Sequence, residues 1–191
     1  MVDEFNTDSQ DDILIEQAGA FAGEADGFGR LWTPHRMAYI EGERPTKDAG
    51  HDCPFCASPT KTDADGLIVH RGEHCFVVMN LFPYNPGHLL VCPYRHVASY
   101  IDLTDDETEE FTKLTKAGVR ALKAASNPGG FNLGMNQGDV AGAGVAAHLH
   151  QHIVPRWGGD MNFMPIIGRT KALPVLLEDS RQRIVANWPN D

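Results

Sequence analysis

His148-Leu149-His150-Gln151-His152-Ile153-Val154-Pro155-Arg156-Trp157 carries three histidines at i, i+2 and i+4. On a β-strand successive side chains point to opposite faces, so this spacing puts all three imidazoles on one face. On a helix each pair would be rotated by about 200°, and no single site could use the three. Leu149 and Ile153 suit a strand that stops at Pro155. Three buried rings on one face cost free energy unless each finds a partner, so simple core packing is a poor account of the row. Upstream, Gly138-Asp139-Val140-Ala141-Gly142-Ala143-Gly144 is small and flexible enough to fold backbone N–H groups around an anion. The pattern reads as a row of nucleophiles beside a phosphate-sized cradle, with a metal-binding His-x-His as its rival.

The 191 residues fit one domain, and 42% apolar with 22% charged residues is the balance of a soluble protein. No apolar run approaches the roughly 20 residues of a membrane span, and no signal segment opens the chain, so cytoplasm is the expected compartment. Residues 1–28 hold eight acids (Asp3, Glu4, Asp8, Asp11, Asp12, Glu16, Glu24, Asp26) and no Lys or Arg, which accounts for −8 of the net charge of −10. The body is therefore near neutral and free to gather phosphate locally, while duplex nucleic acid is an unfavourable partner. We expect 1–28 to be a flexible acidic arm and 29–191 to be the catalytic domain.

Leu67 to His70 and Cys75 to Asn80 read as paired strands, His88 to Cys92 as a third, Phe131 to Met135 as a fourth, and the triad as a fifth. Thr104 is an expected N-cap for a helix to about Ala125, with Phe111, Leu114, Gly118 and Leu122 on its apolar face. A last helix is expected over Leu173 to Trp188. Strands in antiparallel meander order with helices set apart argue an α+β fold.

With the triad in place, Asn132-x-x-x-Asn136-x-Gly138, Pro86-Gly87-His88-x-Leu90-Val91-x-Pro93-x-x-His96 and Pro155-Arg156 resemble the histidine triad (HIT) family from about Leu31 to Trp188. Arg30-Leu31-Trp32-Thr33-Pro34-x-Arg36-Met37 and Pro155-Arg156-Trp157-Gly158-Gly159-Asp160-x-Asn162-Phe163 resemble its actinobacterial branch, described as diadenosine tetraphosphate phosphorylases. The resemblance implies a five-stranded antiparallel HIT-like fold and a homodimer. It implies a nucleotide substrate attacked by His150, oriented by the carbonyl of His148, with His152 assisting the leaving group. Phosphate contacts would come from Asn136 and from the amides of Gly142, Ala143, Gly144 and Val145. Asn80 would reach the ribose, and Phe76 or Leu81 the base. Many relatives carry Gln where this chain has Gly144, so backbone donors must serve here.

Cys53-Pro54-Phe55-Cys56 is by itself a redox pair, a metal knuckle or two buried thiols. Zinc would need two further ligands, most readily histidines. The family resemblance supplies them as His96 and His148, a closed structural Cys₂His₂ site, with His51 as a substitute. His35, His70, His74 and His88 are expected to be structural or surface residues. Three function classes fit: nucleotidyl transfer through His150 to inorganic phosphate or to water, a non-catalytic nucleotide-binding protein, and a metalloenzyme using the triad as ligands. The separate Cys-x-x-Cys weakens the last, because it offers a metal a better home.

Overall fold

The computed structural model describes residues 53–160 and 174–189. The acidic arm, the stretch from Arg30 to Met37, His51 and the basic Arg169-Thr170-Lys171 group, by its charge a candidate contact for phosphate, lie outside the described residues. A short helix, α1 (Pro54–Ala57), precedes the hairpin β1 (Ile68–Arg71) and β2 (Cys75–Met79). Then come β3 (Leu89–Pro93), the long helix α2 (Asp105–Ser126), β4 (Gly130–Met135), β5 (Gln151–Arg156) and α3 (Leu177–Val185). The five strands form one antiparallel sheet, β1-β2-β3-β5-β4, as an α+β fold requires. The meander expectation needs correction: β5 inserts between β3 and β4, so the triad strand is central and β4 is an edge. The last helix begins at Leu177 rather than Leu173. No described helix is long and apolar enough to cross a membrane.

Helix α2 starts where the sequence says it should. Thr104 accepts the Glu107 N–H at 3.2 Å, and Glu107 accepts the Thr104 N–H at 2.8 Å, a reciprocal capping box. Asp105, Asp106 and Glu107 complement the helix dipole in the first turn. Asn127, in the left-handed region at φ 44°, ends it ahead of Pro128. Phe111, Leu114, Ala121 and Leu122 pack with Val77, Met79, Leu89, Val91 and Ile153 in the larger core. A Cβ at Gly118 would meet the Ile153 Cδ1 at 3.0 Å, so glycine there lets the helix lie close on β5. Glu110 reaches across to accept the N–H groups of Glu73, His74 and Cys75 at 2.6–2.8 Å, which fixes the β1–β2 turn to the helix.

The opposite sheet face carries a smaller core of Ile68, Phe76, Val78, Leu90 and Cys92, with Phe55 and Tyr94 packed on it. His152 pairs with Leu90 in register, so the triad belongs to this second face. The sheet therefore separates a helix-covered face from a face that carries the chemistry.

Candidate active site

Only His152 lies within the hydrogen-bonded part of β5; His148 and His150 precede it, a correction to the expected strand limits. The β3–β5 ladder starts at Val91↔Gln151, two residues before Pro93, which has no N–H to continue it. The Leu149 N–H instead donates to the Val97 carbonyl at 2.6 Å, holding the segment extended beside the loop after β3. The side chains stay in a row: His150 and His152 have ring centroids 5.0 Å apart.

Hydrogen-bond accounting fixes the tautomer of each triad ring. His150 Nδ1 lies 2.8 Å from the His148 carbonyl, which can only accept. Nδ1 therefore holds the proton, and Nε2 keeps its lone pair. His148 Nε2 lies 2.9 Å from the Pro93 carbonyl, so its lone pair is on Nδ1. For His152 the determinant is His88. The Tyr84 N–H donates to His88 Nδ1 at 3.0 Å, leaving the His88 proton on Nε2, 2.9 Å from His152 Nδ1. His152 Nδ1 accepts that bond, and its own proton sits on Nε2. The row thus presents a base at His150 beside a donor at His152.

Burial keeps these rings uncharged. Desolvation lowers the pKa of His150 below its ordinary 6.5, against the opposing pull of the His148 carbonyl. Desolvation, with His150 beside it, takes His152 down to about 4. His148, wholly buried, is likewise pushed to about 4, chiefly by desolvation. Neutral imidazole is the form able to attack phosphorus or bind a metal.

Cys53, Cys56, His96 and His148 bring one ligand atom each to within 4.8 Å of the others. Cys53 Sγ is 3.4 Å and Cys56 Sγ 3.5 Å from His148 Nδ1, and Cys56 Sγ is 3.2 Å from His96 Nδ1. Zinc held by two sulfurs and two nitrogens at roughly 2.0–2.3 Å has ligand–ligand edges of about 3.5 Å. The donor set fits that ion in chemistry and in spacing. His148 also meets the usual outer-shell requirement, because its far nitrogen donates to a backbone carbonyl. All four cysteines are free thiols, and burial with Cys53 alongside pushes Cys56 up to about 11. A bound cation would have to displace that proton.

Phe55, between the two cysteines, has its ring centroid 5.5 Å from His148 and 4.9 Å from His150. The Cys-x-x-Cys turn therefore closes one end of the histidine row. At the other end a groove of about 340 Å³ opens, lined by His152, Tyr84, Asn136, Asn132, Val154 and Arg156 among others. Asn136 is thus brought beside the triad. Asn80 is not among the groove residues: it accepts the Phe82 N–H at 3.0 Å and its Nδ2 lies 3.3 Å from His88 Nδ1. Phe76 is fully buried against Tyr94, and Leu81 is exposed. Gly138 and Gly142 both take φ +80°, a left-handed conformation open to glycine without strain. No hydrogen bond among the described residues uses the N–H of Gly142, Gly144 or Val145, while Ala143 is buried and engaged.

Two residues take roles that their sequence positions alone do not show. His88, expected to be structural or on the surface, is fully buried and orients His152. Its place in Pro86-Gly87-His88 was visible, but the contact spans 64 positions and only folding makes it. Arg156, whose charge and place four residues after His152 would suit an anionic ligand, donates Nε and Nη2 to Asp160 at 2.6 and 2.8 Å and Nη1 to Asn132 at 2.7 Å. Its charge is paired within the fold.

The chain is similar to known proteins in sequence and in fold. Residues 61–159 match the HIT domain. Proteins from two Mycobacterium tuberculosis strains, each named AP-4-A phosphorylase, are 46% identical over 194 residues, 98% of either chain. A hypothetical histidine triad nucleotide-binding protein of Sulfolobus tokodaii superposes with a TM-score of 0.58 at 28% identity, over 71% of this chain and 91% of that one. A Zn-bound histidine triad family protein of Mycobacterium smegmatis, 23% identical, shares the fold with a TM-score of 0.56, over 71% and 92% of the two chains. With the HIT domain over more than half its length and a relative of this similarity along nearly all of it, the chain belongs to the HIT family.

Proposed function

We propose that the protein is a cytoplasmic phosphorylase of diadenosine tetraphosphate, working through a covalent nucleotidyl-histidine. The observation that carries the reading is the pair of opposed tautomers, a lone pair on His150 Nε2 beside a proton on His152 Nε2. Support also comes from the relatives named AP-4-A phosphorylase at 46% identity.

In this mechanism His150 Nε2 attacks the α-phosphorus. The N–P bond forms while the P–O bond to the triphosphate breaks, and the electron pair leaves with ATP. The departing oxygen belongs to a terminal phosphate whose pKa is about 6, so a hydrogen bond from His152 Nε2 suffices and no full proton transfer is needed. His150 becomes cationic, and the His148 carbonyl at 2.8 Å stabilises the Nδ1–H. An oxygen of inorganic phosphate then attacks the phosphorus in line, breaking the N–P bond and releasing ADP. Water in its place would give AMP.

With Arg156 paired to Asp160, stabilisation of the phosphate oxygens falls to Asn136 and the backbone N–H groups of Gly142, Gly144 and Val145. Ala143 shapes that loop from its buried position. Zinc on Cys53, Cys56, His96 and His148 would be four-coordinate and closed, supplying folding energy rather than an activated water. We further propose a homodimer joined through β4, whose outer edge meets no described strand.

The test is product analysis with and without phosphate. ATP with ADP is expected at millimolar phosphate, with slower formation of ATP and AMP in its absence. An ATP-to-AMP ratio unmoved by phosphate would make the protein a hydrolase.

A further inference from the structure

We infer that the groove beyond His152 is a subsite for the nucleoside of the leaving group, with Tyr84 as its stacking wall; this rests on the proposed reaction. The direction of departure is set by the two ends of the histidine row. Phe55 and the Cys53–Cys56 turn close the His148 end. His152, the donor to the departing oxygen, opens into the groove. The leaving nucleotide departs past His152, with its phosphates at the mouth of the row and its nucleoside in the groove.

The groove has the chemistry of a nucleobase site rather than a phosphate site. One wall is the Tyr84 ring, half exposed and stacked on His152 at 5.6 Å with 13° between planes. The floor is built from β4 and β5 in register, Gly134 opposite His152 and Asn132 opposite Val154. The far end holds Arg156, whose charge is matched by Asp160. With Asn136 given to the phosphate oxygens, an aromatic face, an aliphatic side chain and the carboxamide of Asn132 recognise a planar base with polar edges, and they offer little to a second polyanion. Arg156 lies four steps along the strand from His152, about 13 Å at the rise of a β-strand, and the groove's volume of about 340 Å³ has room for a nucleoside. Gly134 keeps the floor open: a Cβ built there meets nothing within 4 Å.

The same glycine provides the test. Gly134→Val puts a branched side chain into the groove from a position where the added Cβ meets nothing within 4 Å, and Tyr84→Ala removes its wall. The kcat/KM for diadenosine tetraphosphate is compared with that for adenosine 5′-tetraphosphate, which forms the same intermediate but releases triphosphate with no nucleoside attached. The native protein should favour the dinucleotide on the order of tenfold, the size of one base–aromatic stack. Both substitutions should remove most of that preference by slowing the dinucleotide, and Tyr84→Trp should keep it, all three with unchanged melting temperatures. A native protein with no preference would overturn the inference. So would a preference that survives both substitutions, or equal slowing of both substrates, which would place the effect on His152. A crystal structure of His150→Ala with diadenosine tetraphosphate decides the point independently of turnover. The second base against Tyr84 is expected, and its location elsewhere refutes the subsite. If neither substrate reacts at any phosphate concentration, the proposed reaction fails, while that structure still judges the groove.

Discussion

His150 and His152 are the same residue type two positions apart, yet their neighbours give them opposite hydrogen-bonding roles. A backbone carbonyl holds the proton of His150 on Nδ1, and a buried histidine holds that of His152 on Nε2. Replacing His150 with Ala should abolish turnover, by 10³-fold or more as is usual when a nucleophile is lost. Nucleotide binding measured by calorimetry should survive, because the interaction removed exists only on the way to the transition state. His88→Phe tests the orienting residue. It keeps a buried ring of similar shape but withdraws the proton that fixes His152. We expect kcat to fall by around a hundredfold, the scale of a misplaced general acid or hydrogen-bond donor, with KM little changed. Steady-state kinetics on a variant with native circular dichroism checks it. A KM effect alone would mean that His88 only shapes the groove.

Among the elements, α1 is the least regular and the most connected to the chemistry. It is a single turn of four residues with no side-chain cap, and it has too little backbone hydrogen bonding to stand alone. What holds it is its contact with the histidine row through Cys53, Phe55 and Cys56. Cys53→Ser should therefore cost more than one buried thiol. Metal content, near one zinc per chain in the native protein, should fall towards zero. The melting temperature should drop by about 10 °C or more, since a closed metal site contributes several kcal/mol directly to folding. Elemental analysis and calorimetry on protein purified without chelator read both outcomes. Helix α2 is the opposite case. Its cap, dipole charges and apolar stripe all sit within its own sequence, and Arg95 only reinforces Glu107 by holding its carboxyl down to about 2.

At the scale of the whole molecule, the sheet has two unequal edges. On β1, Arg181 from α3 donates to the Ile68 carbonyl at 3.0 Å. On β4, Leu133 is 52% exposed and the outer side of the strand meets no described partner. Edge-to-edge pairing of two β4 strands would extend the sheet across a two-fold axis. Light scattering should give twice the 21.0 kDa chain mass, and Leu133→Lys should return it to one chain, because a charge at the centre of a paired edge opposes association. A native mass of one chain would exclude the dimer. The sequence by itself determined the strands, the long helix and its cap, the α+β class and the triad, because these follow from local periodicity, capping chemistry and spaced side-chain types; His96 and His148 as partners of Cys53 and Cys56 came from the family resemblance. It did not determine that β5 enters between β3 and β4, that His88 orients His152, or that Arg156 is neutralised by Asp160. Strand order and the partner of a buried polar group depend on which distant surfaces bury one another. Only the tertiary structure decided those, and with them which end of the histidine row is closed and which is open.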